Sequence, residues 1–112
     1  VKANISKEVM MNYITVVRGK LKPADEKAAQ AMHDATVEKL AAMTRPMGAI
    51  GHHAYLNPQN RTEFLAVDTW NNLEGLQGFM SNPQVAEEFG KLFDGMPDIS
   101  IWAESGWASF SE

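Results

Sequence analysis

The run Glu63-Phe-Leu-Ala-Val-Asp-Thr-Trp70 reads as a strand. It breaks at Asn71-Asn72 straight into a helical pattern, Leu73-Glu-Gly-Leu-Gln-Gly-Phe-Met80. Such a passage fixes a β-to-α junction in the second half of the chain. Every other element has to be arranged around it.

Upstream, Tyr13-Ile-Thr-Val-Val17 is dense in β-branched and aromatic residues and predicts a first strand reaching Leu21. Pro23 suits an early helix position, and Asp25 and Glu26 put negative charge where the helix dipole favours it. Ala29, Met32, Thr36, Leu40 and Met43 then recur at spacings of three and four, a single buried stripe, with Glu26, Gln30, Asp34 and Glu38 opposite. Arg45-Pro46 and Gly48 stop that helix. Ala49 to Leu56 alternates as a strand, and Asn57-Pro-Gln-Asn60 supplies turn chemistry, so this segment and Glu63–Trp70 form a hairpin. The helix from Leu73 is renewed at Asn82-Pro83, a cap followed by proline, and presents Val85, Phe89, Leu92 and Phe93. Asp94-Gly95 and Pro97 end it, and Ile99-Ser-Ile-Trp102 is the last strand.

The order is β-α-β-β-α-β. Right-handed crossovers convert it into a ferredoxin-like α+β fold, a four-stranded antiparallel sheet with the helices on one face. The other face is left bare, yet both strand registers carry Val, Ile, Leu, Phe or Trp. An apolar uncovered face predicts a homodimer in which a second subunit covers it, with Trp102 and Trp107 near the partner. At 112 residues there is one domain, 11–107, between an N-terminal arm, 1–10, and a tail, 108–112.

The net charge is −4 and the basic residues are scattered, which argues against nucleic acid or an anionic membrane as partner. There are no cysteines, so disulfides, thiolate metal sites and a Cys nucleophile are excluded. No apolar run approaches the ~20 residues needed to span a bilayer. The segment Val1–Val9 lacks the continuous apolar stretch of a signal peptide, and a cytoplasmic protein is expected. The glycines form no phosphate-cradling loop, and no Gly-x-Ser-x-Gly elbow is present. Gly75 and Gly78 inside a helix imply either close packing or a bend that admits a ligand.

Phe64-Leu-Ala-Val-Asp-Thr-Trp70, then Leu73-Glu-Gly-Leu76, then Ser81-Asn-Pro83 entering a helical turn, resemble the antibiotic biosynthesis monooxygenase family. The resemblance spans about residues 11–107 and implies a dimeric α+β barrel, two sheets paired, with a pocket in each subunit between helices and sheet. It further implies a cofactor-independent monooxygenase acting on a small hydrophobic aromatic, phenolic or quinol molecule. Relatives also include haem-degrading enzymes and members without assigned activity, which leaves a non-catalytic barrel binding a small apolar ligand as an alternative. Many relatives carry a His about nine residues after the strand-ending Trp; Phe79 stands there in this chain, which counts against haem handling.

A four-residue turn at Asn57–Asn60 pairs Leu56 with Arg61. Alternation then sets His53, Tyr55, Phe64, Ala66, Asp68 and Trp70 on one face with Ala49 and Gly51. Small residues leave space and aromatics wall it, as an apolar pocket with a few polar groups requires. In that arrangement His53 is the catalytic base toward an acidic phenol or enol, and Asp68 holds its tautomer. Tyr55, Phe64, Trp70 and Phe79 would contact a flat substrate. A His beside a Tyr in a strand also suits plain packing, and Asp68 also suits capping the next helix. His52 and His53, as strand neighbours, point to opposite faces and cannot easily share a metal. His33 would meet one of them only if packing carried the first helix over the sheet. No cofactor or metal is expected.

Overall fold

A computed structural model describes residues 11–111. The expected N-terminal arm, residues 1–10, lies outside the described residues. Strand β1 is Tyr13–Lys20, helix α1 Glu26–Thr44, β2 Ala49–Asn57, β3 Asn60–Trp70, α2 Leu73–Met80, α3 Pro83–Leu92 and β4 Asp98–Ala103. A 3-10 turn, Arg45–Met47, joins α1 to β2. The strands form one antiparallel sheet in the order β2-β3-β1-β4, the ferredoxin-like arrangement read from the sequence.

Local chemistry explains the boundaries. The Asp25 carboxylate accepts the Ala28 N–H at 3.1 Å, so Asp25 caps α1 and Pro23 falls outside the helix rather than in its first turn. Asn72 and Asn82 cap α2 and α3 in the same way, accepting from the Gly75 and Gln84 amides. Gly48 closes the 3-10 turn with φ of 107°, a left-handed conformation open to glycine at little cost. The buried stripe of α1 runs through Ala29, Thr36, Leu40 and Thr44; Met32, expected inside, is 38% exposed, and Met43 is only half-buried.

All three helices pack on one sheet face. Val17, Phe64 and Ala66 meet Ala29, Leu92 and Phe93 at one end. Trp70 meets Leu40, Leu76, Phe79 and Val85 at the other. Trp70 and Leu76 are fully buried, each stabilising the fold by about 1.5–3 kcal/mol relative to exposure. Gly75 marks a close approach: a Cβ there would stand 1.7 Å from the Met47 carbonyl oxygen. Close packing therefore explains this helical glycine, against the 3-10 turn rather than the sheet.

The hairpin differs from expectation. Asn57 pairs with Asn60 across a two-residue tip, Pro58-Gln59, but Leu56 pairs with Phe64, not Arg61. Arg61, Thr62 and Glu63 form a bulge between these pairs. Side-chain caps hold it: Asn57 Oδ1 accepts the Gln59 amide at 2.9 Å, and Asn60 Oδ1 accepts both the amide and hydroxyl of Thr62. Arg61 is drawn to Glu26 at the start of α1 by two hydrogen bonds, 2.6 and 3.0 Å, and this pairing holds the Glu26 carboxyl below its usual range. The odd offset exchanges the two faces of β2 from Gly51 to Leu56, while a second irregularity between Ala49 and Gly51 keeps Ala49 opposite Trp70.

Candidate functional site

A cavity of about 490 Å³ lies between α1, the helix-facing side of the sheet and the α2–α3 layer. Its walls are mainly apolar, among them Val17, Leu40, Phe64, Trp70, Phe79 and Phe89. Both the size and the lining suit a small organic molecule.

The polar groups collect where α1 crosses β2 and β3. With His52 opposite Asp68 in the ladder, the His52 Nδ1–H donates to Asp68 Oδ1. The other carboxylate oxygen accepts the Thr15 hydroxyl at 3.3 Å, and the Trp70 indole N–H donates to Thr15 Oγ1 at 3.3 Å. Thr15 and Trp70 are fully buried, so Asp68 is braced from beneath by groups that cannot turn to water. This bracing fixes the imidazole of His52 with Nε2 directed away from the sheet. His33, from α1, meets it there: the two Nε2 atoms are 3.0 Å apart, and His33 Nδ1 lies 2.9 Å from Asp34 Oδ1. His33 also packs on Phe64, with ring centroids 5.5 Å apart. Among the described residues no group of three or more His, Asp and Glu is placed to hold a metal ion.

Asp68, Phe64, Trp70 and Phe79 all line the cavity. His53 and Tyr55 do not. Register pairs them with Val67 and Leu65 on the opposite sheet face, where both are exposed, so the expected meeting of His53 with Asp68 is corrected to His52 with Asp68. Tyr55 instead borders a shallow groove with Arg18, Leu56 and Glu63. Sequence reasoning missed Thr15 and Asp34 as members of the site; it made His33's meeting with a β2 histidine conditional on α1 lying over the sheet, and α1 does so. The asparagines at both ends of the hairpin tip carried the missing signal, because two side-chain-capped turns in succession imply a bulge.

The sheet order and helix placement have close counterparts among solved structures. SnoaB from Streptomyces nogalater, described as a cofactor-independent oxygenase, superposes with a TM-score of 0.61 over 91% of this chain and 99% of its own, at 11% identity. A protein from Bordetella bronchiseptica, provisionally named an antibiotic biosynthesis monooxygenase, gives 0.65 over 81% and 94%, at 15% identity. This chain has the same ferredoxin-like α+β fold as these proteins. A conserved protein from Methanosarcina mazei shares that fold at a TM-score of 0.64, 16% identity and coverage of 87% and 96%. No family model and no curated protein matches the sequence. The fold is thus shared with proteins of very different sequence, and function has to be argued from the site. Among the described residues no helix is long and apolar enough to cross a membrane.

Proposed function

We propose that the protein is a monooxygenase that oxidises a small, flat, hydrophobic aromatic molecule bearing an acidic hydroxyl, using O2 directly. The observation that carries this reading is the 490 Å³ apolar cavity whose polar corner is His52 on the braced Asp68. Phe64, Phe79 and Trp70 suit an aromatic ring, and an imidazole held by a carboxylate suits removal of a phenolic proton. The O–H bond breaks, the electron pair stays on oxygen, and the proton becomes an N–H on imidazole. An electron-rich phenolate then reduces O2; one oxygen atom enters the ring carbon and the other leaves as water, with electrons and protons for that water taken from the substrate. The fold shared with SnoaB, described as a cofactor-independent oxygenase, supports this chemistry.

The reading includes a homodimer. Ile14, Val16, Leu65, Val67 and Trp102 lie in register on the face opposite the helices, with Tyr55 beside them. A second copy would cover that surface, forming the two-sheet barrel, and the exposed Trp107 and Phe110 of the C-terminal segment suit the same contact.

Oxygen uptake with a panel of anthrols, naphthols and hydroquinones tests the reading. Turnover with at least one member, lost in His52→Ala, is the expected result. Tight binding of the same compounds without oxygen uptake would instead assign the cavity to a non-catalytic binding protein.

A further inference from the structure

His33, His52 and Asp68 line the cavity, and Asp34 extends the row outward to solvent; the four are joined by three contacts: carboxylate to imidazole, imidazole to imidazole, and imidazole to carboxylate. Each contact needs one hydrogen to be a hydrogen bond. Two carboxylates bring none, and two neutral imidazoles bring two between them. If both Nδ1 atoms donate to their carboxylates, the two Nε2 lone pairs face each other at 3.0 Å with nothing between. If His33 donates from Nε2 instead, its Nδ1 lone pair faces the Asp34 carboxylate. Only a third proton satisfies all three contacts.

We infer that His33 and His52 act as one two-ring base, and that the proton taken from the substrate is held between their Nε2 atoms. The inference rests on the oxygenase reading for its substrate, while the shared proton follows from the geometry of the two rings. The observed arrangement, with the Nε2 atoms closed on each other, is complementary to the protonated pair, the state that exists after the substrate has ionised. In the step itself the hydroxyl O–H breaks, the phenolate keeps the electron pair, and the new N–H on one ring hydrogen-bonds to the other. The pair's surroundings change from two carboxylates around neutral rings to two carboxylates around one positive charge.

The neighbouring elements are consistent with a cationic pair. From α1 the charged neighbour is Asp34, and from β3 it is Asp68. β1 contributes the neutral Thr15, while α2 and α3 turn Phe79, Phe89 and Leu92 to the cavity. Among the described residues that line the cavity, Arg45, on the 3-10 turn, is the one Lys or Arg. His33 and Asp68 are mostly covered, with 17% and 15% of their side-chain surface exposed, whereas His52 is 32% and Asp34 63% exposed, so water competes most at the Asp34 end of the row.

Histidine side-chain 15N NMR across a pH series, on the full chain without substrate, tests the shared proton. The expected result is that His33 and His52 signals move together through one step of one proton per pair. Replacement by His33→Asn or His33→Phe, the latter keeping a ring against Phe64, should uncouple His52 and shift its titration. Two independent steps, with His52 unmoved in both variants, would overturn the pair. With a substrate that is turned over, either variant should lower kcat about 10- to 100-fold while KM stays within about threefold, and should displace the acidic limb of the pH profile. An unchanged profile at full activity would also overturn it. Coupled signals without oxygen uptake on any substrate would sustain the pair as a proton-holding site and sink the oxygenase reading; the two failures are therefore separate.

Discussion

On the helix side of the sheet, Thr15, His52, Asp68 and Trp70 meet under α1 and every polar atom among them has a partner. On the other side, His53 and Tyr55 sit across from Val67 and Leu65, next to Ile14, Val16 and Trp102. The same four strands thus present a hollow with a braced imidazole on one face and an apolar sheet with single polar tips on the other. The difference comes from what each face must satisfy. A surface enclosed by helices has to pair its polar groups internally, and paired groups become oriented groups. A surface proposed to bind a second subunit needs area and shape, and its polar tips are free to reach water.

The sharpest way to break this comparison is His52→Ala. Loss of an oriented general base should cost about 10²–10⁴ in kcat, read by oxygen electrode on whichever aromatic substrate is accepted. Retention of full turnover would remove the helix-side site from the chemistry. The next effect is structural. Gly75→Ala places a methyl group inside van der Waals contact of the Met47 backbone, so the helix or the turn must move. Destabilisation of about 2–4 kcal/mol is expected in urea titration. A variant as stable as the parent would show that the contact between α2 and the 3-10 turn yields at little cost.

On the opposite face, Trp102→Asp should convert a dimer into a monomer by light scattering. Trp102 is 58% exposed in the single chain, and an aromatic anchor of this kind is worth about 2 kcal/mol or more in an interface. Among the described residues its indole N–H donates to Ser100 at 2.8 Å, on the face away from the helices, so the change leaves the helix-side core intact. An unaltered mass would separate the open face from assembly.

A smaller effect belongs to Glu88, which binds α3 to α1. Its carboxylate is buried and accepts from Lys91 at 3.1 Å and meets Lys39 at 3.3 Å. The Lys91 hydrogen bond, opposed by burial and aided by Lys39, holds its ionisation below the ordinary carboxylate range. A depressed folded value means that its stabilising contribution is complete above the unfolded value, about pH 4.3, and is lost as pH falls through the folded one. Urea midpoints measured from pH 7 to 3 should therefore fall less steeply below about pH 4.5 in Glu88→Gln than in the parent. Parallel curves would show that Glu88 contributes nothing to the acid response.

Most of the architecture was legible because each element is specified locally. Asn72 and Asn82-Pro83 begin their helices where their chemistry demands, and Tyr13-Ile-Thr-Val-Val17 has little choice but a strand. On β3, alternation placed Phe64, Ala66, Asp68 and Trp70 together correctly, since one strand's parity needs no partner. Across the hairpin, parity depends on the count of residues between the strands. Arg61–Glu63 change that count, because Asn60 caps Thr62 and Glu26 draws Arg61 aside. The choice between His52 and His53 was decided there, and by a contact 35 residues away in sequence. His33 could be named only conditionally for a related reason: helical periodicity gives the face of α1, but its alignment over β2 is a property of the packed core.

The smallest expected effect falls on the residue that sequence alternation favoured. His53 is a neighbour of the proposed base in the chain, yet its side chain is carried to the far side of the sheet, opposite Val67. Removing it leaves the His52–Asp68–Thr15 connections in place, because none of them passes through His53. His53→Ala should thus keep kcat within about twofold, while surface substitutions of this kind usually alter stability by no more than about 0.5 kcal/mol. Parallel oxygen-uptake and urea measurements on His52→Ala and His53→Ala make the contrast direct. If His53→Ala loses as much activity as His52→Ala while keeping its fold, the β2 register is the wrong one, and the division of labour between the two faces falls with it.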